Sequence, residues 1–416
     1  MLLDAVEKMS KIIKVNDPRD PVKVKFPLVP TLFAIILAWI GGCTSAVAVA
    51  RFWWEHFEDL KKSIPDFPDE CISHDTVNRL LSLILVDDLK GLMSHFCQLV
   101  LDNASSGETS IKRVLSLDGQ TPRATEYEVR EGHLGVPDDD RRLLNHLYYV
   151  TLYDSTSGLA LAMDEVENKE NENKACLRAI KMFDLTGTVV TADALNTQRS
   201  VAKAIIAQGG DYVLALKDNH KSMRKAVSDA FADASLIEKC GDTYSTGVEL
   251  GHGRIEERTV IALSVDDLPN KRPFKDWLVD CHTIFYTVTT STFKKNGVDR
   301  KPERRFFVSS ISGDHPNIAE LGYRAIRDHW KIENQVHWCL DMDFGQDHMQ
   351  TKNRNYLRNC ELLSRLALNV ARQLQPAMWI KNPKEKPSIA SVVDSIKMKP
   401  HKHLLKVANL FAYGKL

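Results

Sequence analysis

Three carboxylates stand where the sequence could put them to chemical use. Asp118 closes the apolar run Val114-Leu115-Ser116-Leu117 and precedes Gly119, and Asp193 closes the run Val189-Val190-Thr191-Ala192. In open α/β sheets, ligands bind in the crevice at the carboxyl ends of strands. The competing role is that of a helix N-cap, which Asp193 is placed to fill for the run that follows. Glu333 is the third. Ile326, Trp330, Glu333, His337 and Leu340 share one face of an expected helix. A carboxylate in such a stripe is desolvated unless it meets a cation, or else it reaches solvent or pairs with Arg327 or Lys331. Oxygen ligands of this kind suit a hard divalent cation such as Mg²⁺. Two such ions activate an attacking hydroxyl and stabilise the leaving oxygen of a phosphodiester. Whether the three meet depends on the fold.

The elements that must position them follow from periodicity. Residues 32–50, 51–62, 75–86 and 89–101 have helical spacing, and Ser73-His74-Asp75-Thr76 supplies N-cap side chains. The turn-prone Asn103-Ala104-Ser105-Ser106-Gly107 closes this helical module, which is expected to span 26–107 after an N-terminal extension, 1–25. From 108 the pattern changes to short apolar runs: strands at 114–118, 147–153, 159–163, 188–192 and 212–216, with helices ending near 184 and at 196–208. Gly209-Gly210 reads as a helix stop rather than a phosphate loop, because it lacks a P-loop's lysine and further glycines. The order β-β-β-α-β-α-β predicts an α/β fold, a mixed five-stranded sheet flanked by helices. Residues 243–310 read as a β-rich insertion, 317–340 and 357–374 as helices, and 381–416 as a basic C-terminal tail with eight lysines.

Composition bounds the class. With 416 residues, 55 basic and 55 acidic side chains and 44% apolar content, the chain has length for two to three domains with ample cores. Zero net charge excludes a uniformly basic coat for nucleic acid, though not local basic patches. The acidic run Asp164 to Glu172 reads as solvated surface. Eight scattered cysteines without a C-x-x-C pair read as reduced thiols, and no secretory signal is apparent, so the cytoplasm is the expected compartment. The only apolar stretch long enough to suggest a membrane span, Leu32 to Ala50, is broken by Gly41 and Gly42 and reads as a buried helix pair.

Longer motifs sharpen this. Thr188-Val-Val-Thr-Ala-Asp193-Ala-Leu-Asn-Thr-Gln, Gln208-Gly-Gly-Asp-Tyr-Val-Leu-Ala-Leu-Lys217, Ser73-His-Asp-Thr76, Leu117-Asp118-Gly-Gln-Thr and His252-Gly-Arg-Ile-Glu256 occur in order. So does Arg327-Asp-His-Trp-Lys-Ile-Glu333-Asn-Gln-Val-His-Trp338-Cys-Leu-Asp341-Met-Asp-Phe344. Together they resemble DDE-type insertion-sequence transposases of the H-repeat-associated branch, over residues 26–375.

The resemblance implies an RNase H-like catalytic domain over 108–380, with the 243–310 insertion ahead of the glutamate helix. It also implies a helical associated domain for end binding or assembly. Asp118, Asp193 and Glu333 match the family's catalytic and metal-holding acids, for Mg²⁺ with Mn²⁺ tolerated. The implied activity is strand cleavage at element ends followed by 3′-OH transfer into target DNA, by a homodimer on double-stranded DNA and away from membranes. An inactive DNA-binding relative and a nuclease without strand transfer are the alternatives.

Candidate DNA contacts are Arg123, Lys217, Arg254, Arg327, His329, Trp330 and His337. Two departures stand out. Gln120 and Pro122 occupy positions where relatives carry lysine and leucine. Ile326, His329 and Leu340 replace the tyrosine, arginine and lysine of the wider superfamily. His329, His337, His348 and Cys339 fit no standard zinc spacing.

Overall fold

The structure, a computed structural model, describes residues 4–5, 7–8, 15–104, 113–122, 147–166, 172–251, 253–294, 297, 299–349, 353–378 and 387–416. The chain begins as a helical bundle: α1 (Leu28–Ile40), α2 (Ala46–Glu55), α3 (Phe57–Ser63), α4 (His74–Leu83) and α5 (Val86–Ala104). Ser73 caps α4 as its position predicts, accepting the Thr76 amide at 3.2 Å. The apolar stretch breaks at Gly42, whose φ of +73° favours a residue without a Cβ. Leu32, Phe33, Ile35, Leu37, Trp39 and Ile40 of α1 are all fully buried. Each such side chain is worth roughly 1.5–3 kcal/mol of burial, and together they join the one core that also holds Leu115 and Leu117 of the strands and Leu362 and Leu366 near the C-terminus. Among the described residues no helix is long and apolar enough to cross a membrane.

Then come β1 (Arg113–Gln120), β2 (Tyr149–Asp154), β3 (Leu159–Glu165), α6 (Glu172–Lys181), β4 (Thr188–Ala192), α7 (Arg199–Ala207) and β5 (Asp211–Leu216). After α8 (Lys221–Ala232) and α9 (Ala234–Cys240), the chain forms β6 (Asp242–Gly251), β7 (Arg254–Ser264), α10 (Arg272–Trp277), β8 (Thr283–Phe293) and β9 (Glu303–Ser309). The rest is helical: α11 (Ile318–His329), a π-helical turn at Glu333–His337, α12 (Trp338–Met342), α13 (Arg354–Leu374), α14 (Ile389–Met398) and α15 (Leu404–Tyr413).

The strands form one sheet in the order β3-β2-β1-β4-β5-β9-β8-β7-β6. The β1–β4 and β4–β5 pairs are parallel and the others antiparallel. The five-stranded expectation is therefore corrected. The β-rich stretch does not fold apart, because β9 pairs with β5 and extends the same sheet to nine strands. Hydrogen-bonding groups on the outer edge of β5 find partners in β9 instead of water.

Two further expectations change. Residues 389–413 fold as α14 and α15, with Val392, Ile396, Leu404, Val407 and Phe411 buried, rather than as a basic tail. Asn103 Nδ2 donates to the carbonyl of Tyr413 at 2.8 Å, which ties α15 to α5. The acidic run is not a solvated surface where it is described. Asp164 is ion-paired to Lys90 and Arg178, and Glu165 to Arg354 and Arg358. These pairs join the sheet edge to α5 and to α13, the long buried helix between bundle and sheet.

Candidate active site at the strand ends

The parallel register of β1 and β4 sets Leu117 opposite Ala192. Asp118 and Asp193, each one residue further on, therefore lie side by side at the carboxyl end of strands about 4.8 Å apart. Helix α11 crosses that face of the sheet. Its Ile318, Ala325 and Ile326 pack on Val114, Val189 and Val213. Gly322 permits the approach, since a Cβ there would sit 2.4 Å from the Phe285 ring. Residues at the end of α11 anchor it to the strand ends. Ser155 Oγ donates to Asp328 Oδ2 at 2.7 Å, Ser116 Oγ to the Asp328 carbonyl at 3.3 Å, and Thr191 Oγ1 lies 3.1 Å from His329 Nδ1.

The expected continuous helix breaks just beyond this anchor. The Trp338 amide bonds the carbonyl of Glu333, five residues back, so the turn is π-helical. Tyr153 Oη donates to Gln335 Oε1 and Arg372 Nη2 to the Gln335 carbonyl, both at 2.5 Å. Such bulges change the phase of a helix. Ile332, Val336 and Leu340 become the buried stripe, while Glu333 and Trp330 are exposed. Of the stripe read from the sequence, Ile326 and Leu340 are buried and Trp330 is not; Glu333 reaches solvent, the outcome its spacing left open, and faces a cavity of about 530 Å³ that Asp118, Asp193, Lys217, His329 and Trp330 also line.

Burial pushes the Asp118 carboxyl up to about 7; the Gly119 amide opposes the shift, and the charges of Glu333, Asp193 and Glu172 add to it. Desolvation holds His329 down at about 4, with Asp193 opposing and Arg305 reinforcing. His337 is held at about 3, chiefly by burial and then by Arg365 and His329. Both rings are neutral at pH 7. An excess of carboxylate oxygen at the end of a sheet, repelling itself, is the donor chemistry of a hard divalent cation. Among the described residues, no three His, Cys, Asp or Glu side chains are gathered closely enough to hold a metal ion. The donor set fits such a cation, and the structure shows no formed cage.

The expected DNA contacts distribute unevenly. Lys217 and His329 line the acid cavity, with Arg224 and Arg305 beside them. Arg254 and Arg327 line an adjoining cleft of about 240 Å³ with Arg258 and Tyr323. Trp330 borders both and is 40% exposed, with the Arg305 guanidinium 4.6 Å from its ring. His337 lies behind the acids, 3.7 Å from Asp118. Arg123 and His252 lie outside the described residues. Gln120 does not line the cavity; its Nε2 donates to Gln346 Oε1 at 3.1 Å.

Sequence reading missed Glu172, Asn196 and Tyr148. Asn196 donates to Asp193 and to Glu172, and Tyr148 donates to Glu172. The spacing of Asn196 three residues after Asp193 was a usable signal for an Asx-type turn. Nothing local marks Glu172.

The transposase DDE domain family matches residues 109–369, and the DDE_Tnp_1-associated family matches residues 9–97. The protein YbfL of Escherichia coli (strain K12) is 27% identical over 364 residues, 87% of this chain and 89% of that one. The H repeat-associated protein YhhI of the same strain is 26% identical over 364 residues, with the same shares of the two chains covered. A solved piggyBac transposase synaptic complex with hairpin DNA covers 97% of this chain and 78% of its own, with a TM-score of 0.41 and 8% identity.

Proposed function

The chain belongs to the transposase DDE domain family, in its H-repeat-associated branch, and from that premise we propose that it is a working DNA transposase of an insertion sequence. One observation carries the reading: Asp118, near the end of β1, and Asp193, just past the end of the parallel β4, lie side by side, and Glu333 lines the same cavity. The succession β3-β2-β1-β4-β5 within the larger sheet supports an RNase H-like core.

In this reading Asp118, Asp193 and Glu333 would hold Mg²⁺, or Mn²⁺ in its place. When bound, such ions activate an attacking oxygen and stabilise the leaving oxygen of a phosphodiester. Water cleaves the strand at the element end, and the freed 3′-hydroxyl then attacks a target phosphodiester. The chain's own part is positioning. Lys217, Arg224 and Arg305 offer charge to phosphates at the cavity, and neutral His329 offers hydrogen bonding only. Arg254 and Arg327 extend a basic path into the adjoining cleft. Residues 26–107 grip or assemble element ends, a homodimer bridges two ends, and the protein works in the cytoplasm.

A second reading, a relative that grips DNA without cutting it, draws on the lack of a formed metal cage among the described residues. One experiment decides. A donor plasmid carrying the gene with its flanking DNA is incubated with a target plasmid, Mg²⁺ and either wild-type protein or Asp193→Asn. Joined products that vanish in the variant are expected. Binding without cleavage by the wild type overturns the proposal, and cleavage without joining assigns a nuclease.

A further inference from the structure

We propose that Glu172 is a positioning residue of the acid site, acting on Asp193 through Asn196 and on the strand end at Asp118 through Tyr148. The proposal rests on the reading of Asp118, Asp193 and Glu333 as the catalytic acids.

Asn196 is fully buried, and its backbone amide and its Nδ2 both donate to Asp193 Oδ1 at 3.1 Å. With Oδ1 doubly engaged, the aspartate cannot swing, and Oδ2 is its remaining ligand oxygen. That grip depends on which way the Asn196 amide points. Cys176 Sγ donates to Asn196 Oδ1 at 3.1 Å, and Asn196 Nδ2 donates to Glu172 Oε1 at 2.6 Å. Turning the amide over would set its oxygen against two carboxylates. Glu172 therefore fixes the orientation together with Cys176 and Asp193 itself.

The other oxygen of Glu172 reaches the neighbouring strand. Oε2 accepts the Tyr148 hydroxyl at 2.5 Å, and that hydroxyl covers Gly119, where a Cβ would fall 2.0 Å from it. One carboxylate thus joins the residue after Asp118 to the turn after Asp193, across two separate strands. A glutamine at 172 either turns its amide N–H groups toward the Asn196 amide, donor against donor, or keeps its oxygen there and forces the Tyr148 hydroxyl to accept instead of donate; either way the two charge-assisted bonds are not both kept. The bland role for Glu172 is a favourable charge at the first position of α6. That role predicts a change in stability alone.

The test compares Glu172→Gln, Glu172→Asp, Tyr148→Phe and Asp193→Asn in the full chain. Cleavage of the donor plasmid is titrated with Mn²⁺, Mn²⁺ binding is measured by electron paramagnetic resonance without DNA, and melting is followed in chelator. Glu172→Gln is expected to weaken Mn²⁺ binding and kcat roughly 10–100-fold, the usual range for groups that orient metal ligands, with little change in KM for DNA. Glu172→Asp recovers part of the loss, and Tyr148→Phe gives a smaller loss of the same kind. Unchanged Mn²⁺ binding and kcat in Glu172→Gln, with only a lower melting temperature, overturns the proposal. If that variant does not fold, wild-type Mn²⁺ binding in Tyr148→Phe overturns it. Cleavage by Asp193→Asn at the wild-type rate overturns the acid assignment itself, whereas loss there beside an unaffected Glu172→Gln removes this proposal alone.

Discussion

His337 Nδ1 lies 3.7 Å from Asp118 Oδ2, and the pair carries no compensating positive charge at neutral pH. The ring is desolvated first by its own burial and then disfavoured as a cation by Arg365 and His329. Its Nε2 is buried and has no hydrogen-bond partner among the described residues. Asp118 meanwhile faces Glu333, Asp193 and Glu172. The protein thus places a neutral ring beside a carboxyl that burial and three neighbouring carboxylates hold well above its ordinary range.

The first consequence concerns pH. The folded pKa of Asp118, about 7, stands above the ordinary 3.8, so between those values the folded state binds the extra proton. Stability of the metal-free protein from this group is present at low pH and is lost as pH rises toward 7. Asp118→Asn removes that loss. Urea melts in chelator should show the variant more stable than wild type at pH 8 by on the order of 1–3 kcal/mol, with roughly a third of that difference left at pH 5. Equal stability at pH 8 would contradict the burial of a repelled carboxylate.

The histidines work in the opposite direction. His337 and His329 are held at about 3 and about 4, below the ordinary 6.5. Their neutral forms are free of cost above 6.5, and stability falls as pH drops from there toward those values. Because Asp118 has the reverse slope in the shared window, the clean comparison uses Asp118→Asn as background. Adding His337→Gln should flatten the decline in unfolding free energy between pH 6.5 and 4.5. An unchanged slope would sink the assignment.

Divalent metal should stabilise the native chain. A ligand at one hundred times its Kd adds about 2.7 kcal/mol. Thermal melts with and without Mn²⁺ should show an upward shift in wild type that Asp193→Asn largely lacks. Identical shifts in both proteins would place the metal elsewhere.

Glu361 and Arg365 form a fully buried ion pair at 2.7 Å, one helical turn apart on α13. Burial pushes the Glu361 carboxyl up, and Arg365 and Gln346 hold it down. Arg365→Met strands the carboxylate and should cost about 3–5 kcal/mol in urea unfolding, whereas Glu361→Leu/Arg365→Met should recover most of that. A double variant as weak as the single one would refute the account.

Much of the site's scaffold was legible in the sequence because it depends on local spacing. The capping Ser73, the strand Thr188–Ala192 and the helix stop at Gly209 each follow from a few adjacent residues. The acids at 118 and 193 were legible for the same reason: each ends an apolar run. Spacing left Glu333 between a buried stripe and solvent; it reaches solvent, and the π-turn that begins at Glu333, held by Tyr153 and Arg372 from distant elements, was not legible in it.

The sequence by itself determined the kinds of element, their order and the carboxylates at their ends, since side-chain periodicity and capping act over a few residues. Tertiary structure alone decided that β9 closes on β5, that Glu333 shares a cavity with the two aspartates, and that Glu172 stands behind them. Those relations depend on hydrogen bonds and burial between segments far apart in the chain, and spacing along the chain carries no record of them.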